Sequence, residues 1–140
     1  MDVEGLRDLC SSVLPSIPSV NTAYLFGSRA KGADSPRDYD IAILFDEGRV
    51  ATREAMYRAS DGVYAALHRH LRPLDVVELN SAGDLLVTQV LKCKSILYCA
   101  DRQYRVAWET RVRYKIWDMR PFGKLYEEAA FRRIREMKLR

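Results

Sequence analysis

The sequence predicts a small α/β (α+β) domain in which a mixed β-sheet is flanked by helices and followed by a helical C-terminal tail. Short apolar runs alternate with longer segments of helical periodicity along the first hundred residues, which is the pattern of a layered architecture. The run from Ile41 to Phe45 is apolar throughout and predicts a central strand that is buried on both faces. From residue 101 onward the periodicity is helical only.

The first half of the chain is predicted to form two helices and two strands. Apolar residues at spacings of three and four predict the first helix, and Pro15 and Pro18 stop it. Thr52 is a candidate N-cap for the second helix. In chain order the predicted elements are a helix over 2–14, a strand over 20–26 that ends at Gly27, a strand over 38–45, and a helix from 53 to about 70.

The second half is predicted to add two short strands and three helices. A strand over 73–79 is bounded by turn residues, a short helix surrounds 85–91, and 95–99 form the last strand. The next helix carries an apolar stripe that packs in the core or against a partner: Tyr104, Trp108, Val112, Ile116 and Met119. Pro121 breaks this helix, and a final one runs through 125–134.

The length and composition favour one domain over residues 1–140, with a core over about 20–100 and a basic tail over 101–140. Three cysteines without a CxxC pair predict reduced thiols and no disulfide scaffold. No run approaches the roughly 18 to 20 uncharged apolar residues of a membrane span, and the N-terminus lacks the features of a signal peptide. We therefore expect a cytoplasmic protein.

The positive charge is concentrated in the tail. The net charge of +4 divides into 11 basic and 13 acidic residues over 1–100, and 12 basic and 6 acidic residues over 101–140. Such a tail is either a solvated helical face or a docking surface, and a protein partner is favoured over nucleic acid. The basic residues near the C-terminus are Arg132, Arg133, Arg135, Lys138 and Arg140.

Three aspartates predict a site that handles phosphate with a divalent metal. Side chains two apart on a strand share a face about 7 Å apart, so Asp38 and Asp40 are expected to project together. Paired carboxylates repel unless a cation lies between them, and Mg²⁺ takes oxygen ligands and bridges substrate phosphates. Asp75 stands in an apolar strand, where a lone carboxylate is expensive to bury, so a metal or a proton-accepting role would explain it.

The Gly27-Ser28 step predicts a phosphate-binding turn. Glycine lets the backbone approach a phosphate closely, and Ser28 offers a hydroxyl where a short helix would begin. Arg29 and Lys31 add positive charge that could neutralise phosphate oxygens. Taken alone, Gly27-Ser28 also fits a plain strand-to-helix turn, and Asp38 alone fits an ordinary loop or cap; it is the combination in this chain order that favours a site.

These residues resemble the DNA polymerase β-like nucleotidyltransferase superfamily, and within it the minimal nucleotidyltransferases (MNT). The resemblance rests on Phe-Gly-Ser-Arg-Ala-Lys-Gly over 26–32, Asp-x-Asp over 38–40 and a later strand aspartate, and it spans about residues 20–100. It implies that Gly27 and Ser28 position the nucleotide phosphates. It further implies that Asp38 and Asp40 ligate two Mg²⁺ ions, while Asp75 ligates one and helps to activate the incoming hydroxyl.

The resemblance also implies a biological role and a partner. Minimal nucleotidyltransferases are commonly the antitoxins of HEPN/MNT (type VII-like) toxin–antitoxin pairs, and some transfer AMP from ATP to a tyrosine of the HEPN toxin, an RNase. The chain has no Arg-x4-6-His arrangement of the HEPN type, so it would be the antitoxin. Two alternatives remain: an antitoxin that only occludes its toxin, as Arg37 in place of the usual serine would suggest, or a nucleotidyltransferase acting on a small molecule.

Overall fold

A computed structural model describes residues 1–27, 38–93 and 95–118, together with Arg132, Arg133 and Arg135. Met119, the predicted helix over 125–134 apart from Arg132 and Arg133, and Lys138 and Arg140 of the predicted basic surface lie outside the described residues. The described elements are, in order, α1 (Val3–Val13), a single 3-10 turn (Leu14–Ser16), β1 (Val20–Phe26), β2 (Tyr39–Phe45), α2 (Arg53–His68), β3 (Leu74–Glu78), α3 (Asp84–Cys93), β4 (Ser95–Cys99) and α4 (Arg102–Asp118).

The four strands form one mixed sheet in the order β3-β2-β1-β4. β1 is antiparallel to both β2 and β4, whereas β2 and β3 are parallel. All seven residues of β1 and of β2 are buried, so the prediction of a central strand over the Ile41–Phe45 run is confirmed. The predicted mixed sheet with flanking helices is confirmed with it.

Each face of the sheet carries its own apolar cluster, because successive side chains of a strand point to opposite sides. On the first face, Ile41, Ile43 and Phe45 pack with residues of α1 and α2. On the second face, Ala42 and Leu44 pack with residues of α3 and α4. The α4 stripe predicted as core or interface belongs to this second cluster through Tyr104, Trp108 and Val112. The molecule is therefore a three-layer arrangement of helices, sheet and helices.

A buried polar network fastens α4 to the second face. The Tyr24 hydroxyl of β1 donates a hydrogen bond of 2.9 Å to Oε1 of Glu109, and Arg105 Nη1 donates to the same oxygen at 3.1 Å. Burial, reinforced by the neighbouring Glu109 carboxylate, raises the pKa of Tyr24 far above its ordinary value. A carboxylate with these partners is satisfied despite being buried, so it fixes the position of the helix on the sheet.

Side chains cap the helices and one edge of the sheet. Asp2, Thr52 and Asp101 each accept a hydrogen bond from a backbone N–H in the first turn of α1, α2 and α4. At the edge strand β4, Arg7 Nε of α1 donates to the backbone carbonyl of Ile96 at 3.2 Å. The caps explain why the predicted starts of these helices agree with the structure to within about two residues.

Several boundaries differ from the sequence predictions by one or two residues, and two of them are informative. Pro15 does not end the first helical segment outright, because it lies within the 3-10 turn that continues α1. Asp38 was predicted as the first residue of a strand, yet β2 begins at Tyr39, whose N–H donates to the Pro73 carbonyl at 2.9 Å. Within the described residues, no helix has the length and apolar character needed to cross a membrane.

Candidate active site

Two of the predicted aspartates lie side by side on the sheet. Asp40 of β2 is the direct register partner of Asp75 on the parallel strand β3. Paired residues of neighbouring strands point to the same face and stand about 5 Å apart. That face is the one covered by α3 and α4, because Ala42, Leu44 and Val77 follow at even spacings and pack there. Each strand therefore places a carboxylate at the end of its apolar row.

Gly27 provides the space that the Asp40 carboxylate occupies. Phe26 pairs with Asp40 across β1 and β2, and Gly27 follows with a φ of +76°, in the left-handed region. A Cβ atom added at Gly27 would lie 2.2 Å from Oδ2 of Asp40 and 3.0 Å from its Cγ. No side chain fits there, so this turn needs glycine both for its backbone conformation and for the approach of the carboxylate. The second requirement cannot be read from the sequence, because it depends on which residue of β2 pairs with Phe26.

The burial of Asp75 differs from what its apolar strand predicted. Asp75 was expected to be a carboxylate in an apolar interior, but it is exposed because β3 is an edge strand. Asp40 is the buried one, with 6% of its surface accessible. Asp38 is exposed and precedes β2 by one residue. The cost of burying a carboxylate therefore falls on Asp40, while Asp75 remains open to a molecule that arrives from solvent.

The rest of the predicted phosphate-binding turn lies outside the described residues. This concerns Ser28, Arg29 and Lys31, and also Arg37, which precedes the first aspartate. Of the predicted nucleotide-binding residues, the structure places Gly27 alone, next to Asp40.

The donor set suits a hard divalent cation. Asp40 and Asp75 present carboxylate oxygens from one face of adjacent strands, and Mg²⁺ prefers oxygen ligands of this kind. In the part of the chain that the structure describes, no three His, Cys, Asp or Glu side chains are grouped closely enough to hold one ion.

A cleft of about 360 Å³ lies at the opposite end of the parallel strand pair. Its lining includes Glu47, which lies just after β2, and Glu78, which is the last residue of β3. Arg53 and Tyr57 from the first turns of α2 also line it. Asn80 closes its floor, where it accepts from the Phe45 N–H at 2.9 Å and donates to the Phe45 carbonyl at 2.8 Å. Of the predicted site residues that the structure describes, none lines this cleft, so the cleft is separate from the aspartate pair.

The match to a family model shows that the protein is a nucleotidyltransferase by class. The chain belongs to the family described as Polymerase beta, Nucleotidyltransferase, whose model matches residues 9–103. That match spans most of the described sheet and its helices, from the middle of α1 into the start of α4. The resemblance to the polymerase β-like superfamily inferred from the motifs is thereby confirmed.

Individual relatives are similar over most of their length. The protein adenylyltransferase MntA of Aphanizomenon flos-aquae is 29% identical over 102 residues, which are 69% of this chain and 68% of that protein. A crystal structure of a toxin–antitoxin with AMP-PNP is 21% identical, with a TM-score of 0.61 over 89% of this chain and 98% of the other. A tri-AMPylated Shewanella oneidensis HEPN toxin in complex with MNT antitoxin provides a chain that is 19% identical, with a TM-score of 0.59 over 92% and 98%. The structural matches establish the fold.

Proposed function

We propose that the chain is the antitoxin of a HEPN/MNT toxin–antitoxin pair and transfers AMP from ATP to a tyrosine of its HEPN toxin. The observation that carries the proposal is the pairing of Asp40 with Asp75, beside a glycine turn that admits the Asp40 carboxylate. The similarity to MntA, a protein adenylyltransferase, supports the same acceptor class. A complex with an RNase toxin would place the protein in the cytoplasm, as one part of a hetero-oligomer.

Each residue of the candidate site has a role in this proposal. Gly27 and Ser28 hold the phosphates of ATP through the backbone turn, and Arg29 and Lys31 neutralise phosphate oxygens. Asp38, Asp40 and Asp75 would hold Mg²⁺, which when bound neutralises the charge of the triphosphate. Asp75, because it is exposed on the edge strand, also accepts the proton of the incoming tyrosine hydroxyl.

The openness of the site favours a macromolecular acceptor. Asp38 and Asp75 are both exposed, and β3 is the outermost strand on that side of the sheet. A pocket for a small acceptor would instead enclose most of the ligand surface and provide converging polar groups. A tyrosine that projects from a folded partner can reach an exposed carboxylate on an edge strand of this kind. An acceptor on a protein is therefore favoured over a small molecule.

The decisive experiment is AMP transfer between the two purified proteins. Chain and toxin are incubated with α-labelled ATP and MgCl₂, and label on the toxin is followed by gel and by peptide mass spectrometry. Asp40→Asn keeps the shape of the side chain and removes its charge, so it should abolish the label, and EDTA should do the same. The matched control is Asp61→Asn on the exposed side of α2, which should transfer AMP at the wild-type rate.

Three outcomes separate the hypotheses. Label on a toxin tyrosine supports the proposal. Inhibition of the RNase by the Asp40→Asn variant and by the wild type to the same extent, without any label, would instead support an antitoxin that acts by occlusion. No label on the toxin together with labelling of a small hydroxyl compound would favour the small-molecule alternative.

A further inference from the structure

The most exposed tyrosine of the described residues lies on the outer side of α4. Tyr114 is 69% exposed, and no hydrogen bond of its hydroxyl is found among the described residues. The buried side of α4 is occupied by the core stripe and by Glu109, so Tyr114 contributes nothing to the packing of this helix. An exposed aromatic hydroxyl on a rigid helix has the form of the acceptor that a protein adenylyltransferase needs.

The other described tyrosines are engaged or less accessible. Tyr24 and Tyr104 use their hydroxyls inside the protein, to Glu109 and to the Phe45 carbonyl, respectively. Tyr64 is 41% exposed, and its ring stacks on His68 with a centroid distance of 5.0 Å. These contacts hold the rings against their own surface, which leaves two clearly exposed candidates in the described part of the chain, one of them Tyr114.

The second candidate, Tyr57, has the wrong electrostatic surroundings. It is 56% exposed, but it lines a cleft in which the two carboxylates of Glu47 and Glu78 outnumber the one guanidinium, that of Arg53. Acidic neighbours repel a site that consists of aspartates and a triphosphate, since like charges oppose the encounter of two surfaces.

Tyr114 has the complementary surroundings. Arg113 and Lys115 flank it in the chain, and Arg111 lies one turn before it on the exposed side. The side chains of Arg113 and Lys115 are half or more exposed, at 50% and 69%, although each also pairs with an acidic residue. Over residues 111–118 the sequence holds these three basic residues and a single acidic one, Asp118. The excess of positive charge favours docking against aspartates and phosphates.

Tyr114 is held away from the candidate site of its own chain. Lys115 Nζ is 3.3 Å from Oδ1 of Asp84, which begins α3. Asp84 comes shortly after the turn in which Asn80 hydrogen-bonds to Phe45. This turn lies at the end of the sheet opposite Asp40. Because α4 is one continuous helix, the tyrosine cannot swing to the aspartates without the helix leaving the sheet.

We propose that the chain also adenylylates itself between copies, with Tyr114 of one copy as the acceptor in the candidate site of another. The inference rests on the proposed function. The Tyr114 oxygen forms a bond to the α-phosphorus of ATP, the bond from that phosphorus to the bridging oxygen of the β-phosphate breaks, and pyrophosphate leaves with the electron pair. The phenol proton passes to the Asp75 carboxylate of the copy that performs the transfer. The product is a chain with AMP on Tyr114.

The test is self-modification of the purified chain without toxin. After incubation with ATP and MgCl₂, intact-mass and peptide mass spectrometry should find one AMP adduct per chain, located on Tyr114. Tyr114→Phe should remove it and still modify the toxin at the wild-type rate. The matched controls Tyr57→Phe and Tyr64→Phe change two other exposed rings and should keep the adduct.

A mixture of two variants tests the transfer between copies. Asp40→Asn supplies an intact acceptor with an inactive site, and Tyr114→Phe supplies an active site without the acceptor. An adduct on the Asp40→Asn chain is expected, at a rate that rises with the concentration of the active chain. The proposal is overturned by toxin labelling without self-labelling, by an adduct on another residue, or by failure of the mixture to label. If neither the chain nor the toxin accepts AMP, the proposed function is refuted as well.

Discussion

The contact between Gly27 and Asp40 is the smallest feature on which the candidate site depends. The glycine turn and the carboxylate that follows it in the chain look like two separate motifs, but here the carboxylate lies where a side chain at residue 27 would be. The two positions therefore form one steric unit. A change at residue 27 acts on Asp40 before it acts on any nucleotide.

Gly27→Ala is expected to abolish most of the transfer activity. The added methyl group would displace the Asp40 carboxylate, and displacements of this size at a reacting centre cost about a hundredfold in rate. Alanine in the left-handed region also costs about 1 kcal/mol of folding free energy or more. AMP transfer and urea unfolding measure the two effects. Gly83→Ala is the control, because its Cβ meets nothing within 4 Å, and loss of transfer in both variants would contradict the explanation.

Cys10 makes the stability of the protein depend on alkaline pH. Burial raises the pKa of its thiol from 9.0 to about 12. The unfolded chain therefore releases this proton at lower pH than the folded chain, so the stabilisation is complete below pH 9 and disappears as pH rises toward 12. Between pH 8 and pH 10, the wild type should lose about 1 kcal/mol more than Cys10→Ala in urea unfolding. Parallel pH dependences of the two proteins would refute this.

At the scale of elements, α4 is attached through a buried carboxylate as well as through apolar packing. Glu109→Ala removes the acceptor for Tyr24 and leaves the guanidinium of Arg105 in a largely buried place without its partner. Breaking a buried pair in this way costs about 3 kcal/mol. The midpoint of urea unfolding should move to a lower urea concentration, while the slope of the unfolding free energy against urea concentration stays unchanged.

An exposed glutamate on another helix provides a control for this prediction. Glu54 of α2 also pairs with an arginine four residues later, Arg58, at 2.8 Å, but both side chains are more than three-quarters exposed. Glu54→Ala therefore removes the same charge and the same kind of ion pair from solvent, where the cost is about 0.5 kcal/mol. Equal destabilisation by the two variants would show that the loss comes from the helical ion pair or the net charge and not from the buried network.

The elements themselves were predictable because their signals are local. Proline, glycine and capping residues bound them, and the apolar run of β2 identifies a central strand. The pairing of strands is not local, and the errors in the candidate site follow from this. The exposure of Asp75 depends on β3 being an edge strand, and the contact of Gly27 depends on the register of Phe26 with Asp40. The residue types of the site were readable from the sequence, whereas their burial and mutual contacts were not.

At the scale of the whole molecule, the separation of charge predicts how the chain would meet the proposed toxin. Arg132, Arg133 and Arg135 are exposed. Replacing all three with glutamate should lower the association rate about tenfold at low ionic strength, because charge steers the encounter. The difference should shrink as salt is added. Stopped-flow or surface binding kinetics at several salt concentrations measures both effects.

A matched charge reversal tests whether location or total charge matters. Arg53 and Arg58 on α2 and Arg69 at its C-cap are exposed, and their replacement by glutamate changes the net charge by the same amount. This variant should associate nearly as fast as the wild type. If both reversals slow association equally, the tail has no special part in docking.

The hydrogen bond from Arg7 to Ile96 restricts the ways in which copies of this chain can join. An exposed edge strand can recruit a strand from another molecule and extend into an aggregate. At β4, an incoming backbone would first have to displace the Arg7 side chain that holds the Ile96 carbonyl. Strand addition is thus impeded at this edge, and the other edge, β3, has only five residues to present. Strand pairing is therefore not the way in which two copies of this chain are expected to join.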